Sequence, residues 1–108
     1  MMLQHGVLRV YETGAVIVLG FGGGEIPDRI DLGTYRAEIT SLLQQNQCEM
    51  LGLDLTGVKY IPSGMLGMLV SLRQQGITVQ LYNPSADVRE VLQITGLERL
   101  FEMHDLVI

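Results

Sequence analysis

Residues 51–72 read LGLDLTGVKYIPSGMLGMLVSL. Leu51, Leu53 and Leu55 alternate with Gly52 and Asp54, the period of a strand with one buried face. Thr56–Pro62 reads as a loop. The apolar residues that follow have helical spacing, so a helix is expected from Ser63 to Gln75, ended by Gly76. Strand, loop and helix in this order form one half of a strand–helix–strand unit. Asp54 closes the strand, where its carboxylate can order the loop, with Thr56, by accepting hydrogen bonds from backbone N–H groups.

The pattern repeats outward. Before this stretch, Leu32, Tyr35, Ile39, Leu42 and Leu43 fall on one face of a helix that Asp28 or Asp31 can cap. Gln44–Gln47 is its polar exit. After it, Ile77, Val79 and Leu81 alternate as a strand. Asn83-Pro84-Ser85 is a turn and cap signal. A third helix is expected over Ser85–Ile94, with Val88, Val91 and Leu92 inward and Thr95-Gly96 as the stop. Leu97–Phe101 reads as a last helical turn. At the N-terminal side, Val7–Glu12 and Ala15–Gly20 are β-branched runs around Thr13-Gly14, the signature of a hairpin. The order β-β-α-β-α-β-α, with a short final helix, predicts an α/β fold in which a mixed sheet of four to five strands carries packed helices.

Composition narrows the function. The 108 residues fit one domain, 1–108, and 47% apolar content supports a core. Net charge is −5, and the seven basic residues are scattered, so no basic stripe exists for nucleic acid. The acidity suits solubility, or a basic protein partner. Cys48 is the single cysteine. It can form no internal disulfide and cannot build a zinc site alone, and it is expected to be a buried or half-buried bystander. No stretch approaches the roughly 18 apolar residues of a membrane span, and no signal peptide is evident, so a soluble cytoplasmic protein is expected.

Motifs for catalysis and cofactors fail when tested. In FGGGEIPD, residues 21–28, no Lys-Ser/Thr pair follows the glycines, as a Walker loop requires. Counting from Gly20 or Gly22, the sixth place of a dinucleotide fingerprint is Glu25 or Pro27. The stretch therefore reads as a flexible connection, and no cofactor is expected. His5 and His104 lie at opposite ends with no metal-ligand or triad spacing. His104-Asp105 reads as surface charge. Asp54 would be the base if the protein were an enzyme, but a non-enzymatic role is expected.

Nearly the whole chain resembles the sulphate transporter and anti-sigma factor antagonist (STAS) domain, most strongly from Leu51 to Phe101 and at the N-terminal side mainly in element order. The family's apolar strand ending Asp-Leu-Ser/Thr-Gly-Val is matched by Asp54-Leu55-Thr56-Gly57-Val58, and its Leu-Gly pair by Leu66-Gly67. VQLYNPSADVREVLQITGLERLF, residues 79–101, is similar to the family's closing strand, Asn-Pro turn and last helices. The resemblance implies a bacterial signalling protein that regulates transcription by binding an anti-sigma factor, itself a serine kinase. Phosphorylation of a serine at the start of the second helix releases such a partner. A helix N-terminus tolerates the added charge, whereas a contact surface does not. Other members of the fold serve as scaffolds in signalling assemblies or on the cytoplasmic side of transporters.

The family pattern Asp-Ser-Ser/Thr-Gly-Leu-Gly meets Pro62-Ser63-Gly64-Met65-Leu66-Gly67 here. Gly64 stands at the phospho-acceptor, so the switch is expected to be degenerate or absent. Ser63 is either the helix N-cap, worth about 1 kcal/mol, or a substitute phospho-acceptor turned by roughly 100° from the usual place. The partner-binding surface is expected at Val58, Tyr60, Ile61, Pro62, Ser63, Gly64, Met65 and Gly67, with Asn83 nearby. Ile61 and Met65 are either apolar anchors or core. Exposed edge strands allow a homodimer, and the apolar tail Leu106–Ile108 either tucks in or meets another chain.

Overall fold

The computed structural model describes residues 9–12, 16–23, 26 and 31–105. The hairpin turn at Thr13-Gly14, the alternative cap Asp28, much of the glycine loop, His5 and the tail 106–108 lie outside them.

Five strands form one sheet in the order β1-β2-β3-β4-β5. They are β1 (Arg9–Glu12), β2 (Ile17–Gly20), β3 (Met50–Asp54), β4 (Thr78–Tyr82) and β5 (Glu102–His104). β1 pairs antiparallel with β2, and all later pairs are parallel. The helices α1 (Leu32–Gln45), α2 (Ser63–Gln74) and α3 (Ala86–Thr95) connect the parallel strands, and a 3-10 turn, Leu97–Leu100, leads into β5. The expected α/β architecture is present. The sequence predicted no strand after Phe101. β5 has three residues, two of them Glu102 and His104, too short and polar to show a period of two.

Each parallel neighbour follows its predecessor in sequence. Right-handed crossovers then place all three helices on one face. Register agrees: Ile17, Leu51 and Val79 form one row across the sheet, and Leu19, Leu53, Leu81 and Met103 the next. Ile17, Leu51, Val79, Leu19 and Leu81 are 0% exposed and Leu53 is 3% exposed. Each such side chain contributes about 1.5–3 kcal/mol of burial energy. On the opposite face Val18, Gln80 and Tyr82 are half-buried and Glu102 is exposed.

α1 starts where sequence placed it. Asp31 accepts from the Thr34 N–H at 3.0 Å and from the Thr34 hydroxyl at 2.7 Å. Tyr35, Ile39, Leu42 and Leu43 are buried. Cys48 is buried between α1 and β3, its thiol 3.1 Å from the Met50 carbonyl oxygen. Ser85 caps α3 by accepting from the Val88 N–H at 3.1 Å. On α3, Val88 and Leu92 face the core, but Val91, expected inward, is exposed. Val88 and Leu92 sit one turn apart over the sheet, and Val91 follows Val88 on the flank rather than beneath it.

Candidate functional site

The C-terminal ends of the parallel strands carry loops to one edge of the sheet, where crevices form in open α/β sheets. Three of these loops meet there. Gly22 and Gly23 follow β2, residues 55–62 follow β3, and Asn83–Ser85 follows β4.

Asp54 organises the middle loop. Its Oδ1 accepts from the Thr56 backbone N–H at 3.0 Å and from the Thr56 hydroxyl at 2.6 Å. The Asn83 side-chain amide donates to Thr56 Oγ1 at 3.0 Å. Asn83 holds φ +55, a left-handed conformation that asparagine tolerates better than most residues. Its backbone N–H donates to the His104 carbonyl oxygen at 2.8 Å, so β5 joins the same network. Further along, the Ser85 hydroxyl donates to the Lys59 carbonyl oxygen at 2.9 Å while capping α3. The loop before α2 is thus tied at Thr56 to the β4 turn and at Lys59 to the start of α3.

Gly57 fixes the other side. Its φ is +81, and a Cβ there would lie 1.9 Å from the Gly23 carbonyl oxygen. Two backbones touch at a place that admits no side chain.

α2 emerges from this loop. The Met65 and Leu66 N–H groups both donate to the Pro62 carbonyl oxygen, at 3.0 and 3.2 Å. Pro62 is therefore the N-cap and Ser63 the first helical residue. The expectation that Ser63 caps α2 is corrected: the hydrogen-bond ladder begins one residue earlier, and no side chain caps this end.

The residues expected at a partner surface divide by burial. Tyr60, Ser63, Gly64 and Gly67 are exposed, and Ile61, Pro62 and Asn83 are half-buried. Val58 and Met65 are 2% and 1% exposed. As partner contacts both are corrected to core. The Val58 N–H bonds the Leu55 carbonyl oxygen at 2.9 Å, and that turn directs its side chain inward. Met65 joins Leu66, Leu69 and Leu72 on the inner side of α2. Ile61 packs against the core at its edge. Gly64 faces α1, and a Cβ there would stand 2.5 Å from Leu32 Cδ1.

Other candidate groups are engaged elsewhere. Asp105 pairs with Arg89 at 2.6 Å rather than with His104. The His104 ring stacks on Tyr82 at 5.4 Å, its Nε2 3.6 Å from Glu102. Among the described residues no cluster of His, Cys, Asp or Glu could hold a metal. Among them, too, no helix is long and apolar enough to cross a membrane. Fully buried Tyr35 has its phenol pKa raised above the usual 10.0, by desolvation and then by nearby Glu38.

Sequence reading missed a groove beside the start of α2, between Tyr60 and Ile61 on one side and Asp87, Val88 and Val91 of α3 on the other. The signal was present: Asp87, Val91 and Ile94 fall at i, i+4 and i+7, a second stripe beside Val88 and Leu92.

The family model of the STAS domain matches residues 32–107. Solved structures that share the fold include the following three. The anti-sigma factor antagonist SpoIIAA in its unphosphorylated form is 22% identical, with TM-score 0.69, over 93% of this chain and 86% of that one. The Bacillus cell fate determinant SpoIIAA in the phosphorylated form is 21% identical, with TM-score 0.63, over 93% and 91%. A STAS domain anti-sigma-factor antagonist protein from Planctomyces limnophilus is 21% identical, with TM-score 0.72, over 93% and 91%. No curated protein sequence matches the chain.

Proposed function

The chain belongs to the STAS domain family, and from that membership we propose that it is a non-enzymatic, protein-binding regulator of the anti-sigma factor antagonist kind. It acts in the bacterial cytoplasm on a kinase-like anti-sigma factor or a similar signalling protein. Its contact surface is the exposed start of α2, with Tyr60, Ile61, Pro62, Ser63, Gly64 and Gly67 beside Asn83.

The observation that carries the regulatory part is at Gly64. The residue aligned with the family's phospho-acceptor has no hydroxyl, and the space for its Cβ is taken by Leu32. Ser63 is exposed at the first position of α2, one residue early and roughly 100° away around the helix. The phospho-switch is therefore degenerate or absent, and control passes to the partner. The fixed loop supports a binding role: Asp54, Thr56, Asn83 and Ser85 hold the backbone that presents Tyr60 and the helix start.

A second reading uses the same glycine. A site that cannot be switched suits a permanent contact, as in a scaffold subunit of a signalling assembly or a cytoplasmic transporter complex.

Capture of the protein from its own cells at native abundance, with mass spectrometry of partners and phosphate, separates these readings. A kinase-like anti-sigma factor bound to unmodified protein is the expected result. Stoichiometric phosphate on Ser63 that releases the partner would overturn the absent switch. A large assembly without an anti-sigma factor would establish the scaffold. A soluble small-molecule turnover lost in Asp54→Asn would overturn the non-enzymatic reading.

A further inference from the structure

Among the described residues three large apolar side chains stand exposed: Tyr60 at 61%, Val91 at 42% and Ile94 at 76%. They are neighbours. Tyr60 and Val91 line the groove that Ile61 and Leu66 also line. Ile94 lies three residues beyond Val91, one turn along the same face of α3. Exposed apolar residues scattered singly need no explanation, but a contiguous group around a groove marks an interaction surface.

Charge indicates what it meets. Asp87 lines the groove, four residues before Val91, and exposed Glu90 lies four residues before Ile94. The four residues form one continuous stripe of α3, apolar and acidic together. Neither carboxylate has an ion pair among the described residues. The basic residue of α3, Arg89, is held to Asp105 at 2.6 Å, and the helical period places it on the far flank. Across the groove the sign reverses, with Lys59 Nζ 5.4 Å from the centre of the Tyr60 ring. An occupant therefore meets negative charge along α3 and a single positive charge on the side of α2, which fixes its orientation.

We propose that this groove docks an amphipathic helix of a protein partner, with its apolar stripe on Tyr60, Val91 and Ile94 and its lysines or arginines against Asp87 and Glu90. The proposal rests on the protein-binding reading above and extends that surface from α2 to α3. Apolar anchors one turn apart, flanked by charge, are what helix-in-groove recognition uses.

The probes are two synthetic amphipathic helices with the same leucine stripe at i, i+3, i+4 and i+7, one flanked by lysines and the other by glutamates. Each is titrated into the full isotope-labelled chain and followed by amide NMR shifts. The lysine peptide is expected to bind, with shifts centred on Tyr60, Val91 and Ile94, and the glutamate peptide to bind at least about tenfold more weakly. Val91→Ala with Ile94→Ala is expected to weaken the lysine peptide about tenfold while leaving the circular dichroism spectrum unchanged. Asp87→Asn with Glu90→Gln is expected to flatten its salt dependence. Equal binding of the two peptides, or shifts centred elsewhere, would overturn the proposal. So would a chain whose sedimentation rises with its own concentration and is restored by Ile94→Ala, since the occupant would then be a second copy. If native capture depends on Gly67→Arg but not on Val91 and Ile94, this proposal fails and the protein-binding reading stands. If wild-type protein captures no partner, that reading fails whatever the peptides do.

Discussion

Leu32, the first residue of α1, and Gly64, the second residue of α2, share one notch. A Cβ on Gly64 would stand 2.5 Å from Leu32 Cδ1. Carbon atoms in contact sit about 3.5–4.0 Å apart, so the leucine tip lies where it does because residue 64 has no side chain. Leu32 in turn packs against the core. The bare backbone at residue 64 is therefore part of how α1 meets α2, and the two positions are coupled.

That coupling is measurable. Gly64→Ser gains helix propensity but displaces the leucine tip, so its net effect on stability is expected within about 1 kcal/mol. In a double-mutant cycle with Leu32→Ala, an interaction energy of at least about 0.5 kcal/mol is expected, as for residues in contact. Urea denaturation of the four proteins gives it, and additivity would refute the shared notch.

Gly57 is held more tightly. Gly57→Ala sets a Cβ against the Gly23 carbonyl oxygen in a left-handed conformation. A backbone atom cannot turn aside as a leucine tip does, so a loss of about 2–3 kcal/mol is expected. Gly76→Ala is the control. Its φ is +95 with nothing within 4 Å, so only the backbone term of about 1–2 kcal/mol remains. Equal losses would mean that the contact with Gly23 carries no weight.

Of the two serines that spacing offered as caps, Ser85 caps its helix and Ser63 does not. Ser85→Ala removes the cap of α3 and the bond to the Lys59 carbonyl oxygen, and a loss of about 1–2 kcal/mol is expected. Ser63→Ala removes no capping bond, and a change within about 0.5 kcal/mol is expected. Thermal melts of the pair decide it; a costly Ser63→Ala would restore the cap to Ser63.

Stability above neutral pH has a marked sign at Tyr35. Its phenol titrates above 10.0 in the folded chain. Above the unfolded value the folded state binds more protons than the unfolded state, so stability falls as pH rises. A flat profile up to about pH 9 and a decline beyond pH 10 are expected. Tyr35→Phe should shallow that decline. An unchanged slope in the variant would assign it to other groups.

Most of the sheet was legible because its periods are strong. Leu51, Leu53 and Leu55, or Val79 and Leu81, alternate cleanly, and Tyr35, Ile39, Leu42 and Leu43 keep to one face of a helix. β5 was not legible, because three residues leave no period to read, and its pairing to β4 comes from neighbours distant in sequence. At the site, Asp54 and the Asn83–Ser85 turn could be read locally, since their hydrogen bonds follow from short-range chemistry. The burial of Val58 and Met65 could not, because it depends on which way the loop turns above β3. The exposure of Val91 was signalled only by its stripe with Asp87 and Ile94, and periodicity alone does not say which of two adjacent stripes meets the sheet.

The sequence by itself determined the order of elements as far as the final helical turn, the inward rows of β3 and β4, the Ser85 cap and the absence of a hydroxyl at residue 64. These are matters of period, local hydrogen bonding and identity at one position. Tertiary structure decided what surrounds residue 64, which of the loop's apolar residues are presented, and that Tyr60 and Val91 border one groove. The first and the last of these join segments more than twenty residues apart, and local propensity does not encode the distance between them.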